Sequence, residues 1–484
     1  DIRSYFGEEM TVAHSQPASG TKYPASAGTS SSNATRFGQV AKAEAKYLAS
    51  SVSKLSMLDF WAGFGLIFIG ITTAFFALPV GTVVVMVLVL VNLTRPAKIE
   101  NPHNSLFFAI LLLAIGWALF ETLAFNNFPI EYAIRRAVRM AIVVLLALQI
   151  AQKKIDVRSL LFGVAFGLLF NFIGFYTRIA PDTYGGVLTG WLNDKNQSGL
   201  YYALFGFLFV AMAQKTKHRV IAICITSGML WLTGSRTSLA AYAFAILWLY
   251  FSHRLNLFGK AILAYLFYLG VNFLEDNFAR AGSFADRLGS DLLRQRIDEA
   301  MYRMIDVVPW YGGGLGTAQV PIQNRYFYFH NSYMTLVQEG GWVYMIVIVS
   351  LMVSVTFFWK QPRVPRIVIA EATMVIILIT SERLGEVILT VPWAITVGLA
   401  LLYLNPDDKL DASDSGRIEA TLATLAKNQP DSLQGQEKTV AVVSEVITED
   451  TNITVAPVAN RSSSNPNYSY NVASIRQQAR KVQR

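Results

Sequence analysis

From residue 55 to residue 404 the chain alternates long apolar runs with short polar connections. Runs such as LLLAIGWALF and MIVIVSLMVSVTFF belong to stretches near the roughly 20 residues a helix needs to cross a bilayer. About twelve such spans fit, with approximate centres at 66, 86, 114, 145, 167, 206, 226, 244, 266, 350, 374 and 396. Only helices or closed barrels satisfy the backbone inside lipid, so the expected fold class is an all-α polytopic membrane protein. The flanks differ. Residues 1–54 are rich in Ser, Ala, Thr and Gly, and residues 405–484 in Asp, Ser, Gln and Asn. Both read as mostly disordered tails around a transmembrane domain at 55–404.

Composition agrees. The chain is 53% hydrophobic and 15% charged, with mean hydropathy +0.39, against roughly 25% charge in a soluble domain. Its net charge of +9 is therefore an orientation signal rather than a sign of nucleic-acid binding. Arg95/Lys98, Lys153/Lys154/Arg158, Lys215/Lys217/Arg219, Arg254/Lys260 and Lys360/Arg363/Arg366 fall in alternate, short connections. Those connections read as cytoplasmic, which places both tails inside. The first fifty residues are polar and lack the pattern of a cleavable signal peptide. The opposite face carries a long loop, about 274–335, between the ninth and tenth spans, in which short helices are expected. Cys224 is the sole cysteine, so a disulfide framework and a cysteine metal site are both excluded.

That outer face prefers arginine. Arg178, Arg236, Arg280, Arg287, Arg294, Arg296, Arg303, Arg325 and Arg383 lie there, with Lys195 the lysine exception, and Arg135, Arg136 and Arg139 open the fourth span. Guanidinium forks onto phosphate through two hydrogen bonds, which suggests an anionic ligand. The plain alternative is pairing with Asp286, Asp291, Asp298 and Glu299. Arg236 and Arg139 stand apart, because each sits at an apolar boundary where an ionisable group usually faces a cavity. Of five histidines, His330 alone falls on this face. It precedes a helix that Asn331 or Ser332 can cap, with Tyr333 following one turn on. Neutral imidazole can take a proton from a hydroxyl, and nearby arginines would keep it neutral. A hydrogen-bonded interfacial histidine is the alternative. The glycines of PWYGGGLG (309–316) lack the strand–helix context of a phosphate cradle. Scattered acids and the lack of a His/Cys cluster give no reason to expect a metal or another cofactor. Asp194 and Glu339 are read as a helix cap or solvated acids that could support the site.

Four segments, in order, resemble the bacterial O-antigen ligase and polysaccharide polymerase superfamily: GWLNDKNQSGLYYALF, LTGSRTSLAAY, RQRIDEAMYRMIDVVPWYGGGLG and FHNSYMTLVQEGGWVYMI. The likeness covers roughly residues 55–404. It implies a metal-independent, membrane-embedded glycosyltransferase of the C type in the bacterial inner membrane, working on the periplasmic side. Such enzymes move a glycan from undecaprenyl diphosphate to an acceptor sugar, either another lipid-linked glycan or lipid A core. By resemblance, His330 acts on the acceptor hydroxyl, Arg236 is one diphosphate arginine, and the other is Arg294 or Arg296. Lys195 and Asn196 match the Lys-Asn pair of the polymerases and, with Asn331 and Tyr333, are expected to line the cavity. The polar IDEA after the second arginine departs from the aromatic residue common there. DKNQSG leans toward a polymerase, with a ligase or a protein O-oligosaccharyltransferase as alternatives. Membrane lipids are implied partners, and a chain-length regulator is a candidate partner for the tails. A transporter of an anionic solute is the reading from another class; it would favour two related halves, and no internal repeat is visible.

Overall fold

The computed structural model describes residues 55–73, 78–125, 130–213, 216–278, 288–323, 325–357 and 365–403. The expected tails lie outside these residues, as does the second of the two units into which the chain divides, Leu410–Arg484. Arg280, Asp286 and Arg287 of the long loop also lie outside them.

The described chain is all-helical apart from one hairpin. In order come α1 (Met57–Gly65), α2 (Val80–Leu93), α3 (Pro102–Phe125), α4 (Ile130–Ala151), α5 (Val157–Tyr176), α6 (Lys195–Met212) and α7 (Thr216–Leu232). Then follow α8 (Arg236–Phe251), α9 (Leu257–Phe278), α10 (Leu288–Val307), the strands β1 (Gln319–Ile322) and β2 (Arg325–Tyr328), α11 (Ser332–Phe357), α12 (Pro365–Arg383) and α13 (Val391–Tyr403). Three segments are long and apolar enough to cross a membrane: Asn104–Phe125, Val157–Tyr176 and Ser332–Phe357. Val80–Leu93, Arg236–Phe251, Leu257–Gly270 and Val391–Tyr403 are shorter apolar helices. Their outward faces keep large apolar side chains exposed, among them Leu113, Phe120, Ile173, Tyr265 and Val343, as lipid rather than water allows.

Two ends of the bundle can be told apart by their polar contacts. At one end the Arg95/Lys98 connection meets the Lys153/Lys154 connection. Lys98 N donates to the Gln152 carbonyl (3.1 Å), and Arg95 Nη1 to that of Lys154 (3.4 Å). Buried Asp59 lies there as well, accepting from Asp156 N at 3.0 Å. At the other end the start of α4 joins the α12–α13 loop, since Arg136 and Arg139 both pair with Glu386. Trp248 Nε1 donates to Glu371 Oε2 at 3.0 Å, and α8 packs along α12. An equal stretch back from Trp248 and on from Glu371 reaches Arg236 and Arg383. Gly199 lies so close to Ser235 that a Cβ would strike its side chain, and Gln197 in the same turn of α6 donates to the Glu386 carbonyl at 3.4 Å, so Arg236 belongs to this second end and the two helices run antiparallel.

The long loop is more structured than short helices alone. In α10, Ile297, Met301 and Ile305 recur at the spacing of one helical stripe and are buried with Val320, Phe329 and Val337. This small core is separate from the main one. The hairpin pairs Gln319 with Tyr328 and Ile322 with Arg325. It was not expected from the sequence, where QVPI and RYFY each supply only four residues of alternation. The glycine loop after α10 docks on α11. Gly313 N donates to the Gln338 carbonyl (2.6 Å), Leu315 N to Thr122 Oγ1 (2.8 Å) and Gly316 N to Glu339 Oε1 (2.9 Å). It holds a helix junction. Helix α11 breaks at Gly341 (φ 84°, ψ 175°), and a Cβ there would collide with the Trp310 carbonyl. Only glycine fits both the conformation and the contact.

Candidate active site at the His330 end of the bundle

His330 sits in the step between β2 and α11. Asn331 caps that helix: its Oδ1 accepts from Tyr333 N (2.9 Å) and Met334 N (3.1 Å). Ser332 Oγ donates to the Leu384 carbonyl (2.6 Å) and accepts from Val387 N (3.0 Å). The α12–α13 loop is thus bound to the residues flanking His330. Gly385 lies so close that a Cβ would strike the Phe329 carbonyl. The imidazole is fixed in height by both neighbours.

The histidine is half-buried, and its Nδ1 is buried with no hydrogen bond inside the protein. Burial first, then the Arg294 guanidinium, push its pKa down to about 4; Asp194 pulls the other way and Lys195 adds to the lowering. At neutral pH the ring is an uncharged base with an unused nitrogen. Arg294, Asp194 and Lys195 are therefore gathered around it.

Arg294 lies one turn ahead of Ile297 on the stripe that packs inward, and its Nη2 donates to the Arg383 carbonyl at 2.5 Å. Arg296, two residues on, is exposed. The helix register separates the two arginines that the sequence left as alternatives. Lys195 opens α6, with Nζ 5.7 Å from the Tyr184 ring centroid. Asp194 is the cap of that helix, accepting from Asn196 N (2.8 Å) and Gln197 N (3.0 Å). Its other oxygen accepts from the Tyr184 hydroxyl at 2.7 Å. Burial, then this carboxylate, raises the phenol above its usual pKa, so Tyr184 stays a proton donor to Asp194. Asn196 is half-buried beside the cap.

Arg236 and Tyr333 complete the expected set. Arg236 opens α8, after Ser235, at this same end of the bundle. Tyr333 donates its hydroxyl to the Leu378 carbonyl (2.9 Å) and lines an apolar groove of about 430 Å³. Phe267 and Tyr268 of α9 face Val375, Leu378 and Ile379 of α12 across that groove, with Glu382 at its polar margin.

A second polar cluster was only partly foreseen. Arg136 Nε lies 2.5 Å from Glu339 Oε1 and its Nη1 2.6 Å from Glu386 Oε1; Arg139 Nη2 lies 3.1 Å from Glu386 Oε2. Burial alone would raise the Glu386 carboxyl, but Arg139 and Arg136 beside it hold it down to about 2. The i, i+3 spacing of Arg136 and Arg139 on one helical face was a visible signal. Their partner, 250 positions away, was not. Among the described residues no three His, Cys, Asp or Glu side chains are grouped so that they could hold a metal ion.

The chain matches no known family model and no curated protein.

Proposed function

We propose that the protein transfers a glycan from a polyprenyl diphosphate carrier to an acceptor sugar hydroxyl, at the His330 end of a bundle of about twelve spans in a bacterial inner membrane. One observation carries this reading: an imidazole kept neutral by burial and by Arg294, with an unengaged nitrogen, beside further cationic groups. In the reaction His330 takes the acceptor hydroxyl proton and the freed oxygen attacks the anomeric carbon. The bond from that carbon to phosphate oxygen breaks, and the diphosphate leaves with its electron pair. Arg294, with Arg236 at the same end, offsets the charge that develops on the leaving group. Lys195 adds to the field. Tyr333's apolar groove suits a polyprenyl chain, because its walls are aliphatic and aromatic while Glu382 marks its polar margin. The opposite end, where Arg95, Lys98, Lys153 and Lys154 gather, suits the cytoplasmic side. His330 would then face the periplasm.

Polymerase action is preferred over ligation on the DKNQSG segment. Reconstituted protein given only undecaprenyl-diphosphate-linked repeat units should lengthen them. A ligase would stay idle until lipid A core is added, and a protein O-oligosaccharyltransferase until a peptide acceptor is added. Transport keeps one supporting observation, the break in α11 at Gly341, since transporters use interrupted helices. Proteoliposomes that consume lipid-linked glycan without any solute gradient would exclude it.

A further inference from the structure

A cavity of about 200 Å³ opens between the start of α4 and the hairpin. We propose that it is a sugar-binding subsite, taking an uncharged ring of the glycan chain away from the reacting bond; this deepens the transfer reading and rests on it. The chemistry of its walls selects the ligand. Arg136 and Arg139 are matched by Glu339 and Glu386, and Arg135 pairs with Glu131. Two of the three lining guanidiniums are held by carboxylates that also line the cavity, and the third pairs with Glu131 outside it, so each is already engaged rather than open to a bare anion. The cavity offers instead many fixed donors and acceptors, which suits vicinal hydroxyls that both give and take hydrogen bonds.

Glu339 supplies the pointed observation. Its carboxylate is 1% exposed and lines the cavity, yet Oε2 makes no hydrogen bond. Leaving a buried acceptor unsatisfied is costly, and a ligand hydroxyl would recover that cost. Tyr328 and Tyr132 also line the cavity while remaining exposed, offering aromatic faces to the C–H side of a pyranose. Gln319, opposite Tyr328 in the ladder, adds an amide. The cavity is not isolated. Pro79, Arg139 and Glu386 also line a neighbouring space of about 290 Å³, which reaches Asp194, a charge that acts on His330. An extended polar chain can therefore run from the imidazole's surroundings to Glu339.

The test uses the full chain in nanodiscs on an array of bacterial surface oligosaccharides, with the lipid-linked transfer assay in parallel. Wild type should bind neutral oligosaccharides. Tyr328→Ala and Gln319→Ala should weaken that binding at least tenfold and raise the acceptor KM without changing kcat. Tyr326→Ala, on the same strand but outside the cavity, should bind as wild type does. No array binding, equal binding by the two cavity variants, or displacement of the glycan by inorganic phosphate overturns the subsite. Binding that behaves as expected in a protein that transfers nothing keeps the subsite and removes the transfer reading. Transfer with an unchanged acceptor KM in both variants does the reverse.

Discussion

Arg294 donates to the main-chain carbonyl of Arg383 while its charge helps hold His330 neutral. A single guanidinium thus fastens α10 to the end of α12 and adds to the burial that keeps the candidate base neutral. Arg296 points to neither task. Arg294→Ala should reduce glycan transfer about 10²–10³-fold, the scale set by losing one fixed donor to a developing anion. Arg296→Ala should leave the rate near wild type. Single-turnover rates with lipid-linked donor decide between them.

The depressed pKa of His330 predicts an unusual acid limb. An ordinary histidine base would lose activity around pH 6.5, but here the loss should be centred near pH 4, because only below that value does the proton occupy the ring. The kcat/KM profile should be flat across pH 6–7, and His330→Ala should abolish transfer without affecting membrane insertion. A midpoint near 6.5 would show that burial and Arg294 do not hold the ring neutral in the working enzyme.

For Arg236 the expectation is geometric. If it grips a diphosphate through its fork, Arg236→Lys should impair transfer although the charge is kept. Full activity in that variant, measured at saturating acceptor, removes Arg236 from the leaving-group site.

Glu386 links two arginines across the bundle end, so Glu386→Gln should destabilise the fold by about 1–3 kcal/mol, less than a fully buried pair would lose because the side chain is partly exposed. Its folded pKa lies below the ordinary value, so the stabilisation is complete above about pH 4.5 and disappears as pH falls through about 2. Thermal midpoints in detergent should differ at pH 7 and converge in acid.

Gly385→Ala should lower activity more than stability. The added methyl would press on the Phe329 carbonyl and move the peptide that carries His330. A variant that inserts normally and transfers at the wild-type rate would show that this contact does not position the imidazole.

Membrane character was legible because apolar runs are long, and His330 stood out because histidine is rare. That Arg294 turns inward while Arg296 is exposed was also present in the text, as the stripe of Ile297, Met301 and Ile305, which fixes the register of α10. The cap at Asn331 was legible as one of two options, and its side chain settles the choice. Other relationships were not readable. Tyr333 shares a turn with His330, yet its hydroxyl is drawn to a carbonyl on α12, because a buried phenol seeks the nearest acceptor. Glu386 and Arg136 meet through tertiary packing alone, and no local pattern announces so distant a pair. The hairpin escaped notice because each strand is too short to establish a period of two.

The glycine segment at 309–316 is pinned to α3 and α11 through three amides, at Gly313, Leu315 and Gly316. Those bonds tie it to the bundle. A displacement of α10 ahead of Pro309 would have to break the bond from Arg294 to the Arg383 carbonyl. Breaking that bond would withdraw a positive charge from the imidazole and let its pKa rise, so the position of α10 and the basicity of the ring are coupled.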